Sequence, residues 1–81
     1  MKGKILILDD EELMLDYLNS ELTKNDFEVH VFQSPAEGLK ALDDISADLV
    51  LTDVKMPEMT GDDVLNHIHE HHPDVGVMLM T

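Results

Sequence analysis

Two short apolar runs in this chain each lead into aspartate. Residues 5–8 are Ile-Leu-Ile-Leu and are followed by Asp9 and Asp10. Residues 49–51 are Leu-Val-Leu and lead to Asp53. Runs this apolar are typical of strands that a parallel sheet buries on both faces. If the two strands are neighbours, the three aspartates meet beyond their carboxyl ends, which is where open α/β sheets bind ligands.

The expected meeting of Asp9, Asp10 and Asp53 predicts a cation site. Three converging carboxylates repel one another, and a bound cation is the natural way to keep them ionised together. The sequence therefore predicts that these three side chains share one divalent cation.

The remainder of the chain alternates helical and strand patterns. Because the loops between them are short, the pattern predicts an α/β domain with a parallel sheet and right-handed crossovers. Ser34 is predicted to cap the second helix, with Pro35 in its first turn and Glu37 completing a capping box. The predicted elements are strand 5–8, helix 11–24, strand 27–32, helix 35–44, strand 48–53, helix 61–72 and strand 75–81.

Apolar residues at helical spacing predict which face of each helix packs on the sheet. Those of the first helix are Met14, Leu18 and Leu22, with Leu15 and Tyr17 beside them. Those of the third helix are Val64, Leu65 and Ile68.

Charge and composition exclude several classes of function. The 81 residues include 5 Lys and Arg against 18 Asp and Glu, a net charge of −13. Such a surface repels nucleic acid and anionic membranes, so neither is expected as a direct partner. The chain contains no Cys, which excludes disulfides and thiolate chemistry and suits a reducing compartment. Its apolar runs are too short to span a membrane, so a cytoplasmic protein is expected.

These residues resemble the CheY-like receiver domain of two-component response regulators. The resemblance covers residues 1–81 and implies a flavodoxin-like, doubly wound α/β fold. No single feature is specific, but their order and spacing together are. The features are the acidic pair Asp9 and Asp10, Asp53, the Asp-Val-Lys-Met-Pro loop at residues 53–57, Gly61, and Thr81 after the fourth strand.

The resemblance implies a role for each of these polar residues. Asp53 would be the phosphoacceptor, taking a phosphoryl group from a sensor histidine kinase. Asp10, Asp53 and the backbone carbonyl of Lys55 would bind Mg²⁺, with Asp9 holding one of the metal's waters. Thr81 would contact the phosphoryl group and act as the switch. The chain would then be a signalling module that acts on an output domain or a downstream protein, and not a turnover enzyme.

The family pattern continues beyond Thr81 with a helix, a fifth strand that carries a lysine, and a final helix. The expectation is therefore a receiver domain truncated after its fourth strand and poorly phosphorylated. Its uncovered fourth strand is expected to pair with another copy, giving a homo-oligomer. The alternative function is a self-associating interaction module with impaired chemistry. A phosphatase with an aspartyl nucleophile is less favoured, because such enzymes carry a second Asp where this chain has Lys55.

Four histidines crowd the third helix and the residue after it: His67, His69, His71 and His72. His67 and His71 have the i, i+4 spacing of a helical metal pair. A solvated helix face, with imidazoles placed favourably near the helix C-terminus, is the simpler interpretation.

Overall fold

The computed structural model describes residues 2–80 and contains every predicted helix and strand. Thr81 lies outside the described residues. The elements are β1 (Gly3–Leu8), α1 (Glu12–Lys24), β2 (Phe27–Phe32), α2 (Pro35–Ala41), β3 (Leu49–Asp53), α3 (Gly61–His71) and β4 (Gly76–Met80).

Helix α2 ends at Ala41, earlier than predicted. The N–H groups of Asp43 and Asp44 donate to the carbonyls of Lys40 and Ala41, three residues back, at 3.2 and 3.0 Å. This tighter hydrogen-bond pattern is common at helix ends and replaces the last α-helical turn. The predicted Ser34 cap and the position of Pro35 at the start of α2 are confirmed, because the Ser34 hydroxyl accepts a hydrogen bond from the Glu37 N–H at 3.3 Å. The predicted capping box is incomplete, since its reciprocal bond to the Glu37 side chain is not among the contacts of this helix start within residues 2–80.

The four strands form one parallel sheet in the order β2-β1-β3-β4. The apolar strands β1 and β3 occupy the centre, and β2 is an edge strand whose six residues are all half-buried. Side chains on the two faces of β1 and β3 enter separate cores. The core on one face is shared with α2 and α3, and the core on the other face is shared with α1. Helices on both faces of a parallel sheet confirm the doubly wound, flavodoxin-like fold.

The prediction that Met14 and Leu65 face the core is wrong. Met14 and Leu65 are 42% and 38% exposed, whereas Leu15 is buried. Helix α1 turns Leu15, Leu18 and Leu22 towards the sheet, so Met14 lies at the margin of the packed stripe. Because Leu18 and Leu22 belong to both possible stripes, spacing alone did not distinguish the two rotations of the helix.

Strand β4 pairs with β3 and forms the second edge of the described sheet. Its side chains include Met78, which is 56% exposed, and Leu79, which is 38% exposed. No helix within residues 2–80 combines the length and the apolarity needed to cross a bilayer.

Candidate functional site

The register of β1 and β3 brings the three predicted aspartates together. Leu8 pairs with Thr52, so Asp9 and Asp53 each follow a paired residue at the same edge of the sheet. Asp9, Asp10 and Asp53 each offer a carboxylate oxygen, and these oxygens all lie within 4.8 Å of one another. The predicted convergence of the three side chains is therefore confirmed, and we call them the acidic cluster.

Asp9 is the buried member of the acidic cluster, with 4% of its surface exposed. Its Oδ1 accepts a hydrogen bond from the Glu11 N–H at 3.0 Å. Burial raises the pKa of Asp9; the Glu11 hydrogen bond opposes this shift, and the nearby Asp53 and Asp10 add to it. The charged form of Asp9 is therefore disfavoured when no cation is bound.

Asp53 is half-buried at the end of β3. The N–H of the next residue, Val54, donates to Asp53 Oδ1 at 2.7 Å and also approaches the Met80 carbonyl at 3.2 Å. The Thr52 hydroxyl donates to the Asp53 carbonyl at 3.1 Å. These bonds orient the carboxylate through one of its oxygens and connect its strand end to the end of β4.

The loop from Asp53 to α3 folds back on itself through a bridge between Lys55 and Thr60. Thr60 and Asp63 cap α3 reciprocally: the Thr60 hydroxyl accepts from the Asp63 N–H at 3.2 Å, and Asp63 Oδ2 accepts from the Thr60 N–H at 3.1 Å. The Lys55 side chain is exposed. A metal bond from the Lys55 carbonyl stays a prediction.

Helix α3 begins in close contact with Asp53. The Gly61 N–H donates to the Val54 carbonyl at 2.7 Å. A Cβ atom at Gly61 would lie 2.9 Å from the Asp53 carbonyl oxygen and 3.1 Å from Val54 Cα. A residue without a side chain is therefore needed for this approach of helix to strand.

The loop after β2 supports the site in a way that the sequence did not indicate. Gln33 Nε2 donates to the Asp10 carbonyl at 3.4 Å, and the Ser34 hydroxyl donates to Glu58 Oε1 at 2.9 Å. Ser34 was recognisable as a helix cap. Its second bond joins residues 24 positions apart, and no local pattern predicts a contact of that kind.

A cavity of about 230 Å³ opens beside the acidic cluster. Two methionines that the sequence did not assign to the site form part of its wall. The lining residues are Asp9, Glu11, Met14, Asp53 and Met80. The exposed position of Met14 at the margin of α1 is therefore part of the site.

The donors of the acidic cluster fit Mg²⁺, because all three are carboxylates and Mg²⁺ prefers oxygen ligands. Mg²⁺ usually binds one or two carboxylates and keeps several waters, so this cluster and its open cavity suit it. The side chains of Asp9, Asp10 and Asp53 would surround the ion.

Comparison with known proteins decides the family. The model of the response regulator receiver domain matches residues 5–81. The chain belongs to this family. It is 36% identical over 79 residues to the regulatory protein AtoC of Escherichia coli, covering 98% of this chain and 17% of AtoC. This receiver chain thus spans about a sixth of the length of that relative.

Two solved structures of the response regulator TrrA resemble the receiver chain closely. One is TrrA from Thermotoga maritima in complex with Mg(2+)-BeF, with a TM-score of 0.89 and 30% identity, covering 95% of this chain and 67% of that one. The other is TrrA in complex with the histidine kinase ThkA, with a TM-score of 0.90 and 30% identity. The match covers 98% of this chain and 68% of that one.

Proposed function

We propose that this receiver chain accepts a phosphoryl group on Asp53 from a sensor histidine kinase and serves as a signalling module. The observation that carries the proposal is the acidic cluster, in which Asp53 is oriented by the Val54 N–H at 2.7 Å. The Mg(2+)-BeF and kinase complexes of TrrA support both the chemistry and the partner.

In the proposed reaction a carboxylate oxygen of Asp53 attacks the phosphorus of a phosphohistidine. A P–O bond forms, the P–N bond breaks, and its electron pair returns to the imidazole of the kinase. The product is an aspartyl phosphate. Asp53 is already oriented through Oδ1, which reduces the positioning cost of the attack.

Mg²⁺ supplies positive charge that offsets the charge of the incoming phosphoryl group. Asp10 and Asp53 would bind this ion, with the Lys55 carbonyl as a further ligand, while Asp9 would hold one of its waters. Burial disfavours the charged form of Asp9, and a cation at this point would offset that cost. Thr81 would contact the phosphoryl group and act as the switch.

The site favours an acceptor over an enzyme with a separate substrate. A phosphatase that forms an aspartyl phosphate carries a second Asp as general acid two residues after its nucleophile, and this chain has Lys55 there. An output domain or a downstream protein would instead recognise the phosphorylated state.

The surface beside the site suits a protein phosphodonor. Helix α1 starts next to the acidic cluster and exposes Leu13 and Tyr17, by 83% and 62%, together with Met14. Apolar side chains in such a position provide contact area to a protein that delivers its phosphohistidine to Asp53.

We infer a cytoplasmic location, which is supported by a cysteine-free sequence that suits a reducing compartment.

Acetyl phosphate tests the proposed chemistry without the kinase. Incubation with Mg²⁺ should give a low level of phosphorylated chain, in keeping with the weak phosphorylation that the sequence predicts, and hydroxylamine should remove the phosphoryl group, as expected for an acyl phosphate. Mass spectrometry should map the modification to Asp53, and Asp53→Asn should abolish it. Asp62→Asn, at an exposed acid outside the acidic cluster, is the control and should leave the modification unchanged. Modification that persists in Asp53→Asn would contradict the proposal.

A second candidate function is self-association through β4. The specific observation is an edge strand that exposes Met78 and Leu79 and has no charged residue within Gly76–Met80. Such an edge offers unpaired backbone groups to another copy of the chain, and no charged side chain within the strand blocks the pairing. We infer a dimer or larger oligomer.

Sedimentation at several concentrations tests self-association. The wild-type chain should sediment as an oligomer whose share rises with concentration. Met78→Lys should shift it towards monomer, because it places a charge in the proposed interface. Glu70→Lys, on the exposed part of α3, is the control and should leave the oligomer intact. A wild-type chain that stays monomeric at high concentration rules out this function and leaves the phosphoacceptor proposal unaffected.

A further inference from the structure

Helix α3 carries a pair of imidazoles outside the acidic cluster. His67 and His71 lie one turn apart, and their ring centroids are 4.5 Å from each other. His67 is half-buried and His71 is exposed. The buried face of the helix is formed by other residues, including Val64 and Ile68. The two rings are therefore accessible and have no part in the phosphoacceptor chemistry.

The distance between the rings matches a shared metal ion. Zinc bonds to imidazole nitrogen at about 2 Å, so each ring centroid would lie about 3 Å from the ion and the two centroids about 4.5–5 Å apart. The ring planes are inclined by 41°, so the two rings are not stacked face to face.

We propose that His67 and His71 form an open two-imidazole site for a borderline transition-metal ion of the Zn²⁺, Ni²⁺ and Cu²⁺ class. Imidazole nitrogen prefers these ions, whereas the carboxylates of the acidic cluster prefer Mg²⁺, so the two sites differ in selectivity. Because the two ligands lie on successive turns of α3, a shared ion also links those turns. Binding should therefore stabilise the folded chain.

The neighbouring histidines are placed differently. His72 Nε2 lies 3.2 Å from Asp43 Oδ1 at the end of α2, although the two groups are not aligned for a hydrogen bond. His69 lies two residues from each member of the pair, and residues at that spacing do not share a helix face. In the described part of the chain, the acidic cluster is the only place where three or more His or acidic side chains bring ligand atoms together. The imidazole pair therefore leaves the remaining coordination positions to water.

Zinc titration of the 81-residue chain in excess Mg²⁺ tests the site, because Mg²⁺ occupies the acidic cluster. NMR of the imidazole protons should show saturable shifts at His67 and His71. His67→Ala and His71→Ala should each weaken binding at least tenfold, whereas His69→Ala should change it less than twofold. His71 is exposed, so its replacement should leave the far-ultraviolet circular dichroism unchanged even if His67→Ala disturbs packing.

A second measurement separates a specific chelate from diffuse binding. Zn²⁺ should raise the midpoint of thermal unfolding in wild type and His69→Ala, and this rise should be absent in His71→Ala. Equal shifts at all histidines, equal effects of the three substitutions, or shifts that remain confined to the acidic cluster would overturn the proposal.

Discussion

The Ser34 hydroxyl donates a 2.9 Å hydrogen bond to Glu58 Oε1 and so joins the first turn of α2 to the loop that follows Asp53. The same oxygen accepts the Glu37 N–H that caps α2. One side chain thus serves a local and a long-range role. Because the loop between β3 and α3 has this connection to α2, the two helices on one face of the sheet are linked next to the acidic cluster.

Ser34→Ala should destabilise the chain by about 1 kcal/mol, the usual effect of removing a helix cap, with a smaller addition from the lost Glu58 bond. A double-mutant cycle with Glu58→Ala isolates the second contribution, which should be about 0.5 kcal/mol because the bond is exposed. Denaturant unfolding provides the measurement. Ser20→Ala, at an exposed serine of α1, is the control and should change stability by less than about 0.5 kcal/mol. Additive effects of Ser34→Ala and Glu58→Ala would show that the bond contributes nothing.

Asp9→Asn should stabilise the metal-free chain at neutral pH. Burial raises the pKa of Asp9 in the folded state above its ordinary value of 3.8. At pH values between the ordinary and the raised pKa, the folded state therefore binds more protons than the unfolded state. Stability therefore falls as pH rises through that interval, and the asparagine variant avoids this loss. Asparagine Oδ1 still accepts the Glu11 N–H, which keeps the local hydrogen bond.

The measurement is thermal unfolding of the wild-type and Asp9→Asn proteins in chelator-treated buffer as a function of pH. The advantage of Asp9→Asn should shrink as pH falls to 3.8 and below, where the wild-type carboxyl is protonated in both states. A variant less stable than wild type at neutral pH would contradict the assigned role of burial.

Mg²⁺ should stabilise the wild-type chain by mass action. At a concentration of 100 times Kd the gain is about 2.7 kcal/mol, which corresponds to a rise of at least several degrees in the unfolding midpoint for a domain of this size. NMR should show amide shifts around Asp10, Asp53 and Lys55. Asp53→Asn should reduce both effects, and the control Asp62→Asn should retain them. Shifts centred on His67 and His71 instead would mean that the magnesium site is assigned wrongly.

Gly61→Ala should destabilise the chain by about 1–3 kcal/mol, the usual effect of adding a group to a packed position. The new Cβ would meet backbone atoms of Asp53 and Val54 at 2.9 and 3.1 Å, so α3 must move away from the end of β3. Gly76→Ala is the matched control, because its Cβ would meet nothing closer than 3.4 Å. Denaturant unfolding of both variants checks this. Equal effects at the two glycines would contradict the close approach at Gly61.

The sequence by itself determined the sheet and the meeting of Asp9, Asp10 and Asp53. Continuous apolar runs predict central parallel strands, and parallel strands bring their carboxyl ends to one edge. That inference needs the position of each acid relative to its own strand and the condition that the two strands are neighbours, which the pairing of β1 with β3 meets. The Ser34 cap of α2 was predictable as well, since a cap is a contact between residues three apart.

Only the tertiary structure decided how the surrounding elements turn towards the acidic cluster. The rotation of α1 exposes Met14 and brings it to the cavity, although spacing alone was compatible with an inward position. The Ser34–Glu58 bond and the approach of Gly61 to Asp53 likewise join residues from different elements. Such contacts depend on packing across the whole core, where the free energies of many side chains are minimised together, and a local pattern along the chain does not contain that information.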